Sequence, residues 1–340
     1  RSSRAGMAPR VRPVLTDNIC GLSETPGPWA SGVALGAKLY FAPFNAPCVL
    51  ELDAGTGGVR GISTEGVHRG GSKWFSAAAV GARLFFAPFD ARCILDLDVA
   101  TGATRGIPTD RVFAGESKWS SAIAFGSKVF FAPCHAPCIL ELDAVTCMVR
   151  SISTEDVHSG TFKWYSACAC GTLQFFAPQD APCILELDAA QGTVRGISTD
   201  DVHAGRAKWS GAVSCGTKLY FSPLCAPCIL EFDVATGKPR AICTDSIHAG
   251  DCKWSGGAAC GAKLFFAPLD APCVLELDAA TRTLGAIVSE SVHSGRAKWH
   301  GAVACGTRLF FAPYYAPCML ELDISAREAA EADTAEAAGA

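Results

Sequence analysis

No apolar run in this 340-residue chain reaches the length, roughly eighteen residues, that a membrane-spanning helix needs. A span of that kind is therefore excluded. Charge of one sign is scarce as well. The 29 Lys and Arg stand against 33 Asp and Glu, the formal net charge is −4, and charged residues make up only 18%. Such a chain has no field to gather phosphate backbones, so no nucleic-acid partner is expected. Helical periodicity is missing throughout. The first residues, Arg1 to Arg10, are basic and irregular and lack the apolar stretch of a secretory leader; Met7 is a candidate start. Residues 1–10 are expected to be disordered, and the Ala/Glu run 326–340 to be a frayed helix or disordered tail.

What is present is a repeat. The seven tryptophans, Trp29, Trp74, Trp119, Trp164, Trp209, Trp254 and Trp299, are 45 residues apart without a slip, and columns headed by Pro43 and Cys48 keep the same step. In the unit 74–118 four short extended pieces follow one another: Phe75–Val80, Arg83–Ala87, Cys93–Asp98 and Ala103–Pro108. Turns at Gly81-Ala82 and Val99–Gly102 and a loop from Pro88 to Arg92 separate them. The first piece is rich in Ala, Ser, Gly and Val, as suits strands crowded round an axis. The second is apolar on both faces, as suits a sheet between two other sheets. The expected fold is all-β: a seven-bladed β-propeller of four-stranded blades over residues 11–325. The last unit ends after three strands at Leu320-Glu321-Leu322-Asp323. Val11 to Asp17 matches Val59 to Glu65, so the N-terminal strand is expected to close the ring and remove its open edges.

One column is acidic in every unit: Glu51, Asp96, Glu141, Glu186, Glu231, Glu276 and Glu321. Across the hairpin from it fall Arg60, Arg105, Arg150, Arg195, Arg240 and, for Glu321, Arg12; Gly285 breaks the series. Facing opposite charges read as cross-strand scaffold rather than as seven catalytic carboxylates. The Cys48 column reads as small, buried, reduced thiols, because symmetry-related third strands stand too far apart for the roughly 4.4–6.8 Å of a disulfide. Cys225-Ala-Pro-Cys228 has the spacing of redox and zinc motifs. Its second cysteine belongs to the column and no second pair completes four ligands, so no metal is expected. Eighteen cysteines without a leader suit a reducing, cytoplasmic setting.

The loop after the second strand and the loop between blades open on one face. Lys73, Lys118, Lys163, Lys208, Lys253 and Lys298 precede their tryptophans there, and two arrangements are open. Either they ring the channel mouth and attract a small anionic ligand, or they pair with loop carboxylates such as Asp90, Asp180 and Asp270. His68, His158, His203, His248 and His293 form a further column, with Phe113 in its second place, that reads as a repeated loop hydrogen bond. The positions that vary, including Phe75, Tyr165, His300, Tyr314 and Tyr315, make the seventh unit the most aromatic part of this face. That suits an interaction surface or, equally, loop drift.

The unit Lys-Trp…Gly-x-Lys-Leu-Phe-Phe-Ala-Pro…Ala-Pro-Cys-x-Leu-Glu-Leu-Asp-x-x-Thr-Gly resembles the blades of kelch-type propellers. Leu52-Asp53-Ala54-Gly55-Thr56-Gly57 also resembles the blades of quinoprotein-like propellers. The resemblance implies a binding scaffold. With Ile62 at the place of the quinoprotein tryptophan, no cofactor is expected. The function expected is a monomeric, non-enzymatic scaffold that binds a protein or small ligand on the inter-blade-loop face. The alternative is an enzyme or anion binder at the channel mouth, with the six lysines, His300, Tyr314 and Tyr315 as the candidate site.

Overall fold

The computed structural model describes residues 9–16, 19 and 26–327. Most of the 1–10 segment and of the 326–340 tail therefore lies outside the described residues. The first six 45-residue units each form one antiparallel four-stranded sheet, and the last unit shares a seventh such sheet with the N-terminal strand. Strand β1 (Arg10–Leu15) precedes blade 1, which consists of β2 (Trp29–Leu35), β3 (Lys38–Pro43), β4 (Cys48–Asp53) and β5 (Val59–Ser63). The order repeats to blade 7, where β26 (Trp299–Cys305), β27 (Arg308–Pro313) and β28 (Cys318–Asp323) are completed by β1. Arg12 lies opposite Glu321 in that pairing, as the repeat predicts, and Pro13 is tolerated because β1 is an edge strand.

Alternation along the second strand explains the ring. Leu39 and Phe41 pack with Phe310 and Met319 of blade 7, while Tyr40 and Ala42 pack with Trp74 and Leu84 of blade 2. A hydrophobic core of this kind fills each of the seven blade boundaries. Two hydrogen bonds recur in all seven blades. Each tryptophan Nε1 donates to the carbonyl of the column cysteine 19 residues on, at 2.8–2.9 Å. The hydroxyl of Thr64 and its counterparts (Ser289 in blade 6) donates to the carbonyl before that cysteine, and Thr16 does so to Pro317. A buried indole N–H needs an acceptor, and this one never varies. The Leu-Asp-x-x-Thr-Gly motif is a turn device. Asp53 Oδ1 accepts the N–H groups of Gly55 and Thr56 at 2.9 Å.

The acidic column is scaffold, with a correction of detail. Glu51 pairs with Arg60 as expected but also with Lys38 from the second strand, a cation column the sequence reading passed over. Burial opposes the charge of Glu51, yet hydrogen bonds from Arg60 and Lys38 outweigh it and hold the carboxyl below its ordinary pKa. Arg150 and Arg240 stand opposite Glu141 and Glu231 in register, but those carboxylates pair with Lys128 and with Lys218 and Arg282. Where Gly285 breaks the series, Arg327 reaches Glu276 at 2.7 Å. The cysteine column needs one correction too. Cys48 is disulfide-bonded, whereas Cys93, Cys138, Cys183, Cys228 and Cys273 are free thiols that burial pushes up to about 11.

Candidate functional site

On the inter-blade-loop face the six lysines are not a ring of free cations. Each is 1% exposed, with its ammonium group turned onto backbone carbonyls. Lys208 Nζ donates to Gln179, Ala181 and Gly205 at 2.8–3.3 Å, and Lys163 Nζ to Cys134, Ala136 and Gly160 at 3.0–3.2 Å. Lys73, Lys118, Lys253 and Lys298 each hold two such carbonyls. Burial lowers the pKa of all six, that of Lys73 to about 8. Each lysine ties the loop of one blade to the approach to the next instead of lining the channel mouth, and Asp90, Asp180 and Asp270 act on Lys118, Lys208 and Lys298 through their charge, without a direct ion pair among the described residues. Pro28 takes the lysine's place before Trp29.

The expected carboxylate partners do something else. Asp90, Asp180 and Asp270 accept the backbone N–H of Ser117, Ala207 and Ala297 at 2.6–2.7 Å, and Asn45 does the same for Ser72 at 2.8 Å. These acceptors cap a strained position. Ser72, Ser117, Phe162, Ala207, Cys252 and Ala297 all have φ of 48–50°, which non-glycine residues rarely adopt, and Gly27 (φ 60°) is the seventh. In blade 3 the pair becomes His135 and Phe162, rings edge to face at 4.4 Å. The two columns thus change together because they touch.

The histidine column does make a repeated loop hydrogen bond, but through its backbone, with His68 N–H donating to the Thr64 carbonyl at 3.1 Å and its counterparts likewise. His68, His158, His203, His248 and His293 lie edge to face on the following tryptophan at 6.0–6.2 Å, which explains why Phe113 substitutes on Trp119 at 6.4 Å. No group of three or more metal-ligating side chains occurs among the described residues.

At the axis, the varying positions form a plug. Phe44, Phe75 and Phe89 are buried and pack with Tyr165 and Tyr314, with Phe75 5.1 Å from Tyr165 and 4.8 Å from His300. Seven equal side chains cannot converge on one axis. The residue after each tryptophan is therefore large in blades 2, 4 and 7 (Phe75, Tyr165, His300) and small in the others (Ala30, Ser120, Ser210, Ser255). Asymmetric packing, rather than drift, accounts for this variation. His300 and Tyr314 belong to the plug, whereas Tyr315 stays 53% exposed.

Beneath the plug is a polar axial cavity of about 20 Å³ lined by Ser31, Ser76, Ser121, Ser166, Gly256 and Gly301, among others. The glycines are required there, since a Cβ on Gly256 would stand 2.5 Å from the Cα of Gly301. Ser210 donates to Ser255 at 3.1 Å, and Ser255 Oγ lies 2.7 Å from His300 Nε2. A Ser–His contact is the start of a nucleophile–base pair, but here the serine is buried and His300 Nδ1 meets no orienting partner among the described residues. Burial lowers the pKa of His300 to about 4, so the ring is neutral. The wider clefts, of about 220–300 Å³, lie between outer strands over the ion-pair column, where Arg12, Arg308 and Glu321 or Arg83, Asp96 and Arg105 satisfy one another.

No family model and no curated protein matches the chain in sequence. Solved structures do match in shape. The extracellular domain of a putative one-component system from B. thetaiotaomicron superposes with a TM-score of 0.67 at 12% identity. The match covers 91% of this chain and 40% of that one, so the chain spans less than half the length of that relative. Hydrazine synthase from Kuenenia stuttgartiensis gives 0.66 at 14%, covering 89% and 97%. A chain of a mitotic checkpoint complex gives 0.63 at 11%, covering 95% and 94%. At these identities the likeness is one of fold.

Proposed function

We propose that the protein is a non-enzymatic scaffold that docks a protein partner on the inter-blade-loop face, centred on blades 6 and 7. One observation carries this reading. Leu15, Val288 and Tyr315 are large, apolar and exposed at places where the other repeats are mostly polar. Leu15 and Val288 occupy the position of Ser63, Ser153 and Ser198, and Tyr315 that of Asn45, Asp90 and Asp180. Exposed apolar side chains against the rule of their own repeat mark a surface kept for contact. The plug supports the reading by leaving a closed platform where an active-site funnel would open. The small-anion alternative loses its support because the ammonium groups are spent on carbonyls. A reducing, cytoplasmic setting belongs to the same reading, supported by the free thiols of Cys93, Cys138, Cys183, Cys228 and Cys273 and opposed by the disulfide-bonded Cys48.

The test uses the repeat's own residues, which the fold accepts. A Leu15→Ser, Val288→Ser, Tyr315→Asp variant is compared with wild type and with a Val145→Ser, Met148→Ser control, which trims exposed apolar side chains on the opposite face. Proteins captured by wild type and by the control should be missing from the triple variant. Equal capture by all three overturns the reading.

A further inference from the structure

The motif Cys225-Ala-Pro-Cys228 looks like a pair of working thiols, but the fold gives its two sulfurs different neighbours. Cys228 is buried at the start of a third strand and interacts with Cys243, directly opposite it across the hairpin. Cys225 sits in the loop and occupies the capping position that Asp90, Asp180 and Asp270 hold elsewhere. Its sulfur accepts the backbone N–H of Cys252 at 3.5 Å, which sets the two side chains beside one another, and burial first and Cys225 second push the Cys252 thiol up.

We propose that Cys225 and Cys252 form a redox-active dithiol, a site for thiol–disulfide exchange that joins the loop of blade 5 to the approach to blade 6. Three observations converge. The two columns touch in every repeat where a cap is seen, and only in this repeat are both residues cysteine. Both are free and half-buried, so a small oxidant reaches them, whereas most of the Cys48 column is buried. Lys253, bonded to the carbonyls of Ala226 and Gly250, lies within Coulombic range of Cys225.

The co-reactant is a low-molecular-weight disulfide. The Cys225 thiolate attacks one of its sulfurs, the S–S bond breaks, and the first small thiol leaves carrying one proton. Cys252, losing its proton, attacks the Cys225 sulfur of the mixed disulfide and expels the second small thiol, which takes that proton. The protein dithiol is oxidised by two electrons and the small disulfide is reduced by two. The product closes a 27-residue loop.

The experiment incubates the folded, full-length protein with oxidised glutathione, then alkylates it and maps peptides by mass spectrometry. Two variants take their residues from other repeats and so keep the fold: Cys225→Asp, as at Asp180, and Cys252→Ala, as at Ala207. Wild type should lose two alkylatable thiols and yield a 225–252 cross-link, with a melting midpoint raised by roughly 5 °C. Each variant should lack both the cross-link and the rise, and Cys228→Ala should keep them. A 225–228 or 228–243 cross-link instead, a stable glutathione adduct on Cys225, or an unchanged thiol count would overturn the proposal.

Discussion

Ser255 Oγ lies 2.7 Å from His300 Nε2 across the boundary between blades 6 and 7, while His300 Nδ1 meets no partner among the described residues. Ser255 also accepts a hydrogen bond from Ser210, and whether it donates to His300 Nε2 or accepts from it is set by the tautomer of the neutral ring. The folded-state pKa of about 4 is below the unfolded value of 6.5. Between those values the unfolded chain binds more protons, so this contribution is complete above pH 6.5 and is lost as pH falls towards 4. His300→Phe, which copies Phe75, should remove up to about 3 kcal/mol of that acid sensitivity. Urea midpoints for both proteins at pH 7 and pH 4.5 test it, and parallel shifts would contradict it.

Gln174 is fully buried, and neither of its amide atoms has a partner among the described residues. The other six blades carry Leu or Val there, and the preceding Leu173 stands where all six have Lys or Arg beside a Glu51-type carboxylate. Gln174→Leu should stabilise the protein by about 1–3 kcal/mol, since it removes an unpaid desolvation of the amide. A lower urea midpoint than wild type would show that the amide has an acceptor.

Lys208 holds three carbonyls, so Lys208→Gln leaves some of them buried and unmatched. A loss of about 2–4 kcal/mol is expected. Phosphate and chloride at matched ionic strength should protect wild type equally against heat. A phosphate-specific rise that Lys208→Gln abolishes would restore the anion site.

Deleting residues 1–16 takes the outer strand from blade 7 together with the Arg12–Glu321 ion pair and the Thr16 bond to Pro317. The melting midpoint should fall by about 10 °C or more, because a whole edge is exposed in a cooperative ring. An unchanged midpoint would mean that β1 does not hold the ring closed.

The sequence made the blades legible because the residues that repeat are the ones whose contacts repeat. Trp29 and its counterparts always meet a cysteine carbonyl, and Glu51 always meets cations. Closure was legible for the same reason, since Arg12 falls where Arg60 does. The lysines were misread because their direction depends on the turn before them. That turn rests on positive φ at Ser72, Phe162 and Ala207, residue types that do not announce such a backbone. The plug was missed because its logic is the breaking of symmetry. A large Phe75 fits only because Ala30 and Ser120 beside it are small, and that is visible only when seven unequal residues are read around a circle. The Asn45–Ser72 columns did carry a signal, since His135 with Phe162 and Cys225 with Cys252 change as pairs.

Pairing β1 with β28 also sets a clock. Arg12 and Glu321 are 309 residues apart, so the first blade strand to leave the ribosome waits for the last one. At ordinary elongation rates of about 5–20 residues per second that wait is roughly 15–60 s. All that time Val11 and Val14 have no sheet to join, although blades 1 to 6 already have their four strands in sequence order. A nascent chain of this kind spends its synthesis as an open arc with a free strand at its tail. Final assembly is a single long-range event after the last blade is made, and any chaperone requirement should be concentrated there.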